Sequence, residues 1–363
     1  MTQGSVNVKY QISPYYVFFL IHSMQIGAGV LSFQRMLAKA TGADGWISIL
    51  LAGVLVHVLI WIIYKIFSLV PGDITFVNTD TLGKWFGNII NLLFIIYFFM
   101  LSNAVLSTYI NVVHVWMFED ITSWGLAAIF FGLMYYIISG GFRTITGITF
   151  LSVILSYWLL FVLFYALQYS DFYHLLPMFT HSLLDILKGT KDSTFNFIGF
   201  DMLLMFYPFI KNAETSQKFA HWGTFATTCL VLFFYLVTLV FYSVDQLILN
   251  IWPTLTMVSI VELPFLERFE YIEISWWALV VTPNMTIPLW AASRAFKQVF
   301  HIQQKYVLWV MGLIIVAPHF FFLDKEIIPV LNKLVVNLGY VLFLYLSVLL
   351  IIIYLKKKMR NKL

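Results

Sequence analysis

The sequence predicts an all-α integral membrane protein of ten transmembrane helices, arranged as a five-plus-five inverted repeat with helices 1 and 6 interrupted. Three observations carry that expectation. Of 363 residues, 61% are hydrophobic and only 10% are charged, against roughly 25% charged in a soluble domain. The mean hydropathy is +0.89, and a water-soluble globule of this size cannot hide so much apolar surface. Second, the apolar residues fall into ten runs of roughly membrane-spanning length. Third, the first and sixth runs are broken by glycines, so the breaks occupy corresponding places in two sets of five. The composition excludes a soluble enzyme, a nucleic-acid-binding domain and a disordered regulator. The net charge of +4 needs no acidic partner.

A spanning helix takes roughly 20 apolar residues, because the hydrocarbon core is about 30 Å thick. The runs that meet this lie at 14–38, 45–69, 86–115, 121–140, 146–169, 194–211, 219–242, 273–297, 305–323 and 332–355. The first is preceded by a single lysine and followed by Arg35 and Lys39, not by a small-residue cleavage site. It reads as a retained span, not a signal peptide. The longest connections, 170–193 and 243–272, are too short for a core of their own. The chain is therefore expected to form a single transmembrane domain, 1–363. Within 243–272, Glu262, Glu267, Arg268 and Glu270 surround Pro264-Phe265-Leu266, which reads as a solvated loop or as a partner surface.

Lysine and arginine set the orientation. With the N-terminus in the cytosol, cytosolic segments carry fourteen of these residues and outer segments seven. Both termini are expected inside. Lys356-Lys357-Lys358-Met359-Arg360 forms a juxtamembrane basic cluster suited to anionic lipid. Most tryptophans, among them Trp46, Trp61, Trp85, Trp276 and Trp277, fall at span ends and read as interfacial anchors. One cysteine, Cys229, permits no intrachain disulfide and no cysteine metal site.

The first span contains Gln25-Ile26-Gly27-Ala28-Gly29-Val30-Leu31. Each interior glycine costs a helix about 1 kcal/mol relative to alanine, so the backbone is expected to unwind here. Unwound backbone in a membrane must be buried or line a cavity. Free carbonyls near Gln25 and Ile26 would attract an ammonium or hydroxyl. Free amides near Gly29, Val30 and Leu31 would attract an anion such as a carboxylate. The competing explanation is a small-residue groove for helix packing.

The sixth span reads Phe195-Asn196-Phe197-Ile198-Gly199-Phe200-Asp201, with Pro208 further on. Asp201 is the one acid well inside an expected span. An ionisable group there is a functional hypothesis by default, because burial is expensive unless it is paired. It would hold a ligand amine, exchange a proton, or cap the second half-helix. Two broken segments in corresponding places point to an inverted-repeat transporter fold and to its binding site. Second-rank candidates are Tyr97 and Asn103 in the third span, and Thr282, Asn284 and Thr286 around Pro283 in the eighth. His22, His57 and His114 read as satisfied core or interface groups. The fifth span offers Ser152, Ser156 and Tyr157 but no lysine. There is no P-loop, no HExxH and no nucleophile elbow, so no enzymatic activity, metal or cofactor is expected.

The Gly27-Ala28-Gly29 stretch resembles the Gly-x-Gly break of the amino acid–polyamine–organocation transporter superfamily. Further stretches narrow the resemblance: Ala43-Asp44-Gly45-Trp46, Pro71-Gly72-Asp73, Leu82-Gly83-Lys84-Trp85-Phe86-Gly87, Tyr207-Pro208-Phe209-Ile210-Lys211-Asn212 and Leu266-Glu267-Arg268-Phe269-Glu270. As an ordered set from about residue 10 to 355, they resemble the B subunit of the nutrient germinant receptors of endospore-forming bacteria. The resemblance implies a LeuT-like fold in the spore inner membrane, with an A subunit and a C-subunit lipoprotein as partners. It implies a receptor that binds an amino acid, sugar or nucleoside and triggers germination, with a proton- or sodium-coupled amino acid transporter as the alternative. The superfamily pattern carries the ligand role onto Gly27, Ala28, Gly29, Val30, Phe197, Gly199, Phe200 and Asp201, to which Tyr97 and Asn284 are added. Ala28 stands where many transporters place a hydroxyl, so backbone amides would have to hold a carboxylate unaided.

Overall fold

The computed structural model describes residues 6–261, 268–321 and 327–360. Glu262, Pro264-Phe265-Leu266 and Glu267 of the outer loop, with Lys325 and Lys362, lie outside the described residues. Among the described residues the chain is helical, with one isolated parallel β-bridge between Ile12 and Ile210.

The first broken helix comprises α1 (Tyr16–Gln25), a 3-10 turn (Ala28–Leu31) and α2 (Phe33–Thr41). Helix α3 (Gly45–Leu69) follows at once, and Asp73 caps α4 (Ile74–Leu82) by accepting the Phe76 N–H at 3.2 Å. Next come α5 (Lys84–Trp116), α6 (Ser123–Ser139), and the pair α7 (Phe142–Ser156) and α8 (Leu159–Ala166). The second broken helix comprises α9 (Leu183–Thr194), two 3-10 turns and α10 (Leu203–Phe206). Helix α11 (Gln217–Phe241) leads to two short helices, α12 (Val244–Leu249) and α13 (Pro253–Val258). The chain closes with α14 (Phe269–Phe300), α15 (Gln304–Val316), α16 (Pro318–Phe321) and α17 (Ile327–Arg360).

Among the described residues, five segments are long and apolar enough to cross a membrane: Phe33–Leu69, Lys84–Trp116, Phe142–Tyr169, Ala213–Phe241 and Ile328–Arg360. Shorter apolar helices run over Ser123–Ser139, Phe200–Phe209 and Gln304–Phe320.

The second break lies at Gly199 as expected, but the broken span starts earlier than expected. Residues 170–193 read as a connection, yet α9 lies within them, and 194–211 hold the break and only the second half-helix. Helix α9 carries Asp185, Lys188, Lys191 and Asp192, which argue against a span. Its buried residues are Ile186, Gly189, Thr190, Ser193 and Thr194. That spacing is one face of a helix, and the helix packs against α2 and α3. Trp277 also differs: it is buried inside the bundle, not at an interface.

Helix α14 runs along α5, while α1 packs between α7 and α11. Pro283 and Pro288 lie inside α14, which nevertheless continues. Proline cannot donate to the carbonyl one turn back. Ser152 substitutes by donating to the Leu279 carbonyl at 2.9 Å. At the α2–α3 end, Asp44 accepts the N–H groups of Phe179 (2.5 Å), Thr180 (2.8 Å) and His181 (3.1 Å), fastening the 170–182 loop over the α2–α3 turn. At the other end the chain before α1 is tied to the end of the second broken helix. Ile12 donates to the Phe209 carbonyl at 2.8 Å, and the Lys211 N–H donates to Ile12 at 2.9 Å.

Candidate functional site

The two breaks meet in the middle of the bundle. Helix α1 stops at Gln25, where Ile26 (φ −110°, ψ 98°) and Gly27 (φ −138°, ψ −154°) are extended. Helix α9 stops at Thr194, and Gly199 takes φ +118°, which favours glycine. The breaks are joined directly. Gln25 donates from Nε2 to the Phe197 carbonyl at 3.2 Å. A Cβ on Gly199 would stand 2.7 Å from the Met24 carbonyl oxygen, so this crossing of two backbones requires glycine.

Of the carbonyls at the end of α1, those of Ser23, Met24 and Ile26 are engaged, whereas the sequence predicts free carbonyls near Gln25 and Ile26. Asn284, from α14, donates from Nδ2 to the carbonyls of Ser23 (3.1 Å), Met24 (3.2 Å) and Ile26 (3.2 Å). One side chain thus supplies the hydrogen bonding that the broken helix loses. At the start of the next turn the first internal bond runs from the Val30 N–H to the Gly27 carbonyl at 3.2 Å. The amides of Ala28 and Gly29 precede it and lie outside that pattern.

A cavity of about 110 Å³ opens between the breaks. Space for one water is roughly 10–15 Å³ on this measure, so the cavity holds several heavy-atom groups. Five of the ten expected residues line it: Gly27, Ala28, Gly29, Val30 and Asn284. Polar residues that sequence reasoning missed join them: Ser32, Thr108, Asn196 and Asn332. Gln25, first noted for its carbonyl, contributes its side chain as well. Asn332 donates to the Thr108 hydroxyl at 3.3 Å across the cavity wall. No charged side chain lines the cavity. The side-chain amide oxygens of Gln25, Asn196 and Asn284 are all buried and receive no hydrogen bond. A buried acceptor left unpaired is costly, and three of them around one cavity call for a guest that brings donors.

The other five expected residues lie outside the cavity lining. Phe197 and Phe200 are fully buried, and the Phe200 ring packs on Phe343 at 4.9 Å. Phe197 takes part through its carbonyl and Gly199 through its backbone. Asp201 does not cap a helix in the usual sense. Its Oδ1 reaches back to accept the Gly199 N–H at 2.9 Å, holding the left-handed turn. Tyr97 lies close enough to interact with the Asp201 carboxylate, and both Asp201 Oδ2 and the Tyr97 hydroxyl are buried without a well-formed hydrogen bond. Tyr97 and Asp201 form a buried polar pair one layer behind the cavity.

Thr282 and Thr286 spend their hydroxyls on carbonyls of their own helix, Ala278 and Thr282, both at 2.7 Å. A second, smaller cavity of about 50 Å³ lies on the opposite side of α1, lined in part by His22, Ser152, Ser156, Tyr157 and Trp277. His22 bridges Thr227 (2.9 Å) and Tyr157 (3.0 Å). The Thr227 proton goes to the Gly223 carbonyl. His22 Nδ1 must therefore carry the hydrogen toward Thr227, and Nε2 accepts from Tyr157. This places His22 among satisfied core groups.

The spore germination protein family matches residues 11–330 of the chain. The chain is 47% identical to the spore germination protein GerQB of Bacillus cereus, over 98% of this chain and 99% of that one. Among solved structures it is similar to a Na+-coupled sialic acid symporter in a substrate-bound, outward-open state. The TM-score is 0.66 at 12% identity, covering 92% of this chain and 78% of the symporter. It is equally similar, at TM-score 0.66 and 10% identity, to a nucleobase-cation-symport-1 family transporter in a closed conformation with bromovinylhydantoin bound, over 96% of this chain and 80% of that one. These likenesses show a LeuT-like transporter fold.

Proposed function

Because the chain belongs to the spore germination protein family, we propose that it is the membrane-embedded B subunit of a nutrient germinant receptor. In this reading it spans the spore inner membrane ten times with both termini on the core side. It binds a small polar nutrient at the meeting point of the two breaks. Binding shifts the bundle between two packings, and the A subunit and C-subunit lipoprotein pass the change on. A ligand moves such an equilibrium only by its differential affinity for the two states.

The observation that carries the reading is the chemistry of the central cavity. Amide oxygens of Gln25, Asn196 and Asn284 wait for donors, while the Ala28 and Gly29 amides offer donors of their own. With no charged lining residue, the site suits a guest that is neutral overall and both gives and accepts hydrogen bonds. A zwitterionic amino acid, a sugar and a nucleoside all meet that description. The protein acts here as a receptor and not as an enzyme.

The second reading is a proton- or sodium-coupled transporter. The buried Asp201–Tyr97 pair behind the break favours it, since a carboxylate there is placed to exchange a proton. The two readings separate by experiment. Spores lacking only this chain are exposed to a panel of amino acids, sugars and nucleosides. Loss of response to one nutrient, restored by complementation, supports the receptor. An intact response to every nutrient, with solute uptake by proteoliposomes that Asp201→Asn abolishes, supports the transporter.

A further inference from the structure

Far from the breaks, where α5 begins and α14 turns into α15, two cavities lie side by side. One is an apolar groove of about 330 Å³ between α5, α14 and α15, walled by Leu92, Ile96, Phe99, Tyr306, Val310 and Ile314. The other is a polar basin of about 400 Å³, lined by Thr79, Asn88, Lys297, Gln298 and His301 among others. Helix α5 and the end of α14 line both, with α15 closing the groove and α4 closing the basin. On α5, Asn88 faces the basin and Leu92, one turn on, faces the groove. At the end of α14, Phe296 belongs to the groove and Lys297 to the basin; His301 and Ile302 divide in the same way.

We propose that this composite pocket binds one anionic phospholipid, its phosphate in the basin beside Lys297 and His301 and an acyl chain along the groove. The argument is one of complementary chemistry. No acid lines either cavity. Asp73 lies behind the basin wall, where the lining residues Thr75 (2.6 Å) and Gln298 (2.6 Å) engage its carboxylate. Lys305 adds a further positive charge at the mouth, over the Tyr306 ring. The groove runs from Leu92 to Phe99 on α5 and from Tyr306 to Ile314 on α15, about 10–12 Å at the helical rise, a length suited to a single chain segment and too short for a spanning helix. Its walls are apolar and exposed: Leu92, Ile96, Tyr306, Val310 and Ile314 each show about two-fifths or more of their surface. In the orientation proposed above, with both termini on the core side, the lysines at this end face the leaflet that carries anionic lipid. The site is independent of the nutrient cavity, so it stands whichever function that cavity serves.

The test uses the full chain, purified in detergent and stripped of lipid. Native mass spectrometry and thermal unfolding follow the addition of phosphatidylglycerol, phosphatidylcholine or soluble glycerol phosphate. Phosphatidylglycerol is expected to bind and raise the melting temperature, and the other two are not. Lys297→Gln should weaken phosphatidylglycerol about fivefold, from ~1 kcal/mol per basic residue at an anionic surface. Val310→Trp, at an exposed position, should block the groove and abolish retention without lowering the melting temperature of the lipid-free protein. Equal retention of phosphatidylcholine overturns the proposal, as does phosphatidylglycerol binding that both variants leave unchanged. Glycerol phosphate binding as tightly as the lipid overturns the role of the groove. Loss of subunit assembly in Val310→Trp, with no lipid retained by the unaltered chain, would assign the groove to a partner helix instead.

Discussion

The carboxamide nitrogen of Asn284 lies 2.8 Å from the point that a Cβ on Gly27 would occupy. That gap explains two sequence choices at once. Asn284 must approach closely to serve three carbonyls, and Gly27 must lack a side chain to let it in. Leucine at position 284 keeps the volume and removes the donor. Asn284→Leu is expected to destabilise the protein by about 1–3 kcal/mol for the buried acceptors left unpaired. A thermal melt of the purified chain reads this directly, and an unchanged melting temperature would contradict the capping role.

Gly29→Leu should abolish the nutrient response while the protein level stays normal. The residue lines the central cavity, and a leucine side chain would occupy much of its roughly 110 Å³. Immunoblots of spore membranes together with germination curves check both halves of this statement. A normal response in a variant present at normal level would remove Gly29 from the site.

Gly199→Ala should fail for a different reason. At φ +118° an L side chain is strained, and its Cβ would also meet the Met24 carbonyl at 2.7 Å. A backbone conformation of this kind costs of order 1–3 kcal/mol for a residue other than glycine. The loss should appear as reduced stability with and without nutrient, distinguishing it from a ligand contact. Measured melts that match the parent in both conditions would refute it.

Asp201→Asn is expected to fold and to keep nutrient-dependent stabilisation. Its Oδ1 still accepts the Gly199 N–H, and Asp201 is not part of the cavity lining. Thermal shifts across the nutrient panel decide the matter. If the variant loses nutrient binding altogether, Asp201 contacts the ligand and the cavity as described is incomplete.

Asp44→Ala should loosen the loop that it fastens without touching the centre. It removes the acceptor of three backbone N–H groups at 179–181. Limited proteolysis within 170–182 is expected to speed up, while nutrient-dependent stabilisation remains. Unchanged cleavage would show that other contacts hold the loop.

Much of this arrangement was legible in the residues. The Gly27-Ala28-Gly29 break and the Gly199 discontinuity follow from glycines in apolar runs, and Asn284 stood out as a polar residue inside one. The first half of the second broken helix was harder to read. Helix α9 carries four charged residues, which made 170–193 look like a connection. Its small and apolar residues at 186, 189, 190, 193 and 194 hold the helical period that identifies it. Asn196, Thr108 and Asn332 were missed because a neutral polar side chain inside a span carries no unusual cost signal. Only the packing of α5, α9 and α17 around the break brings them to one cavity. Burial of an acid singles out Asp201 as a ligand, proton-exchange or capping group, and the structure adds a backbone turn that it holds through the Gly199 N–H.

The uncharged wall of the central cavity has an electrical consequence. A transmembrane voltage acts on charge, at ~2.3 kcal/mol per elementary charge per 100 mV. A guest of zero net charge entering a wall of amides and hydroxyls carries no current and feels no pull from the field. Occupancy of such a site would track nutrient concentration alone, and so would read the same in a de-energised cell as in a fully polarised one.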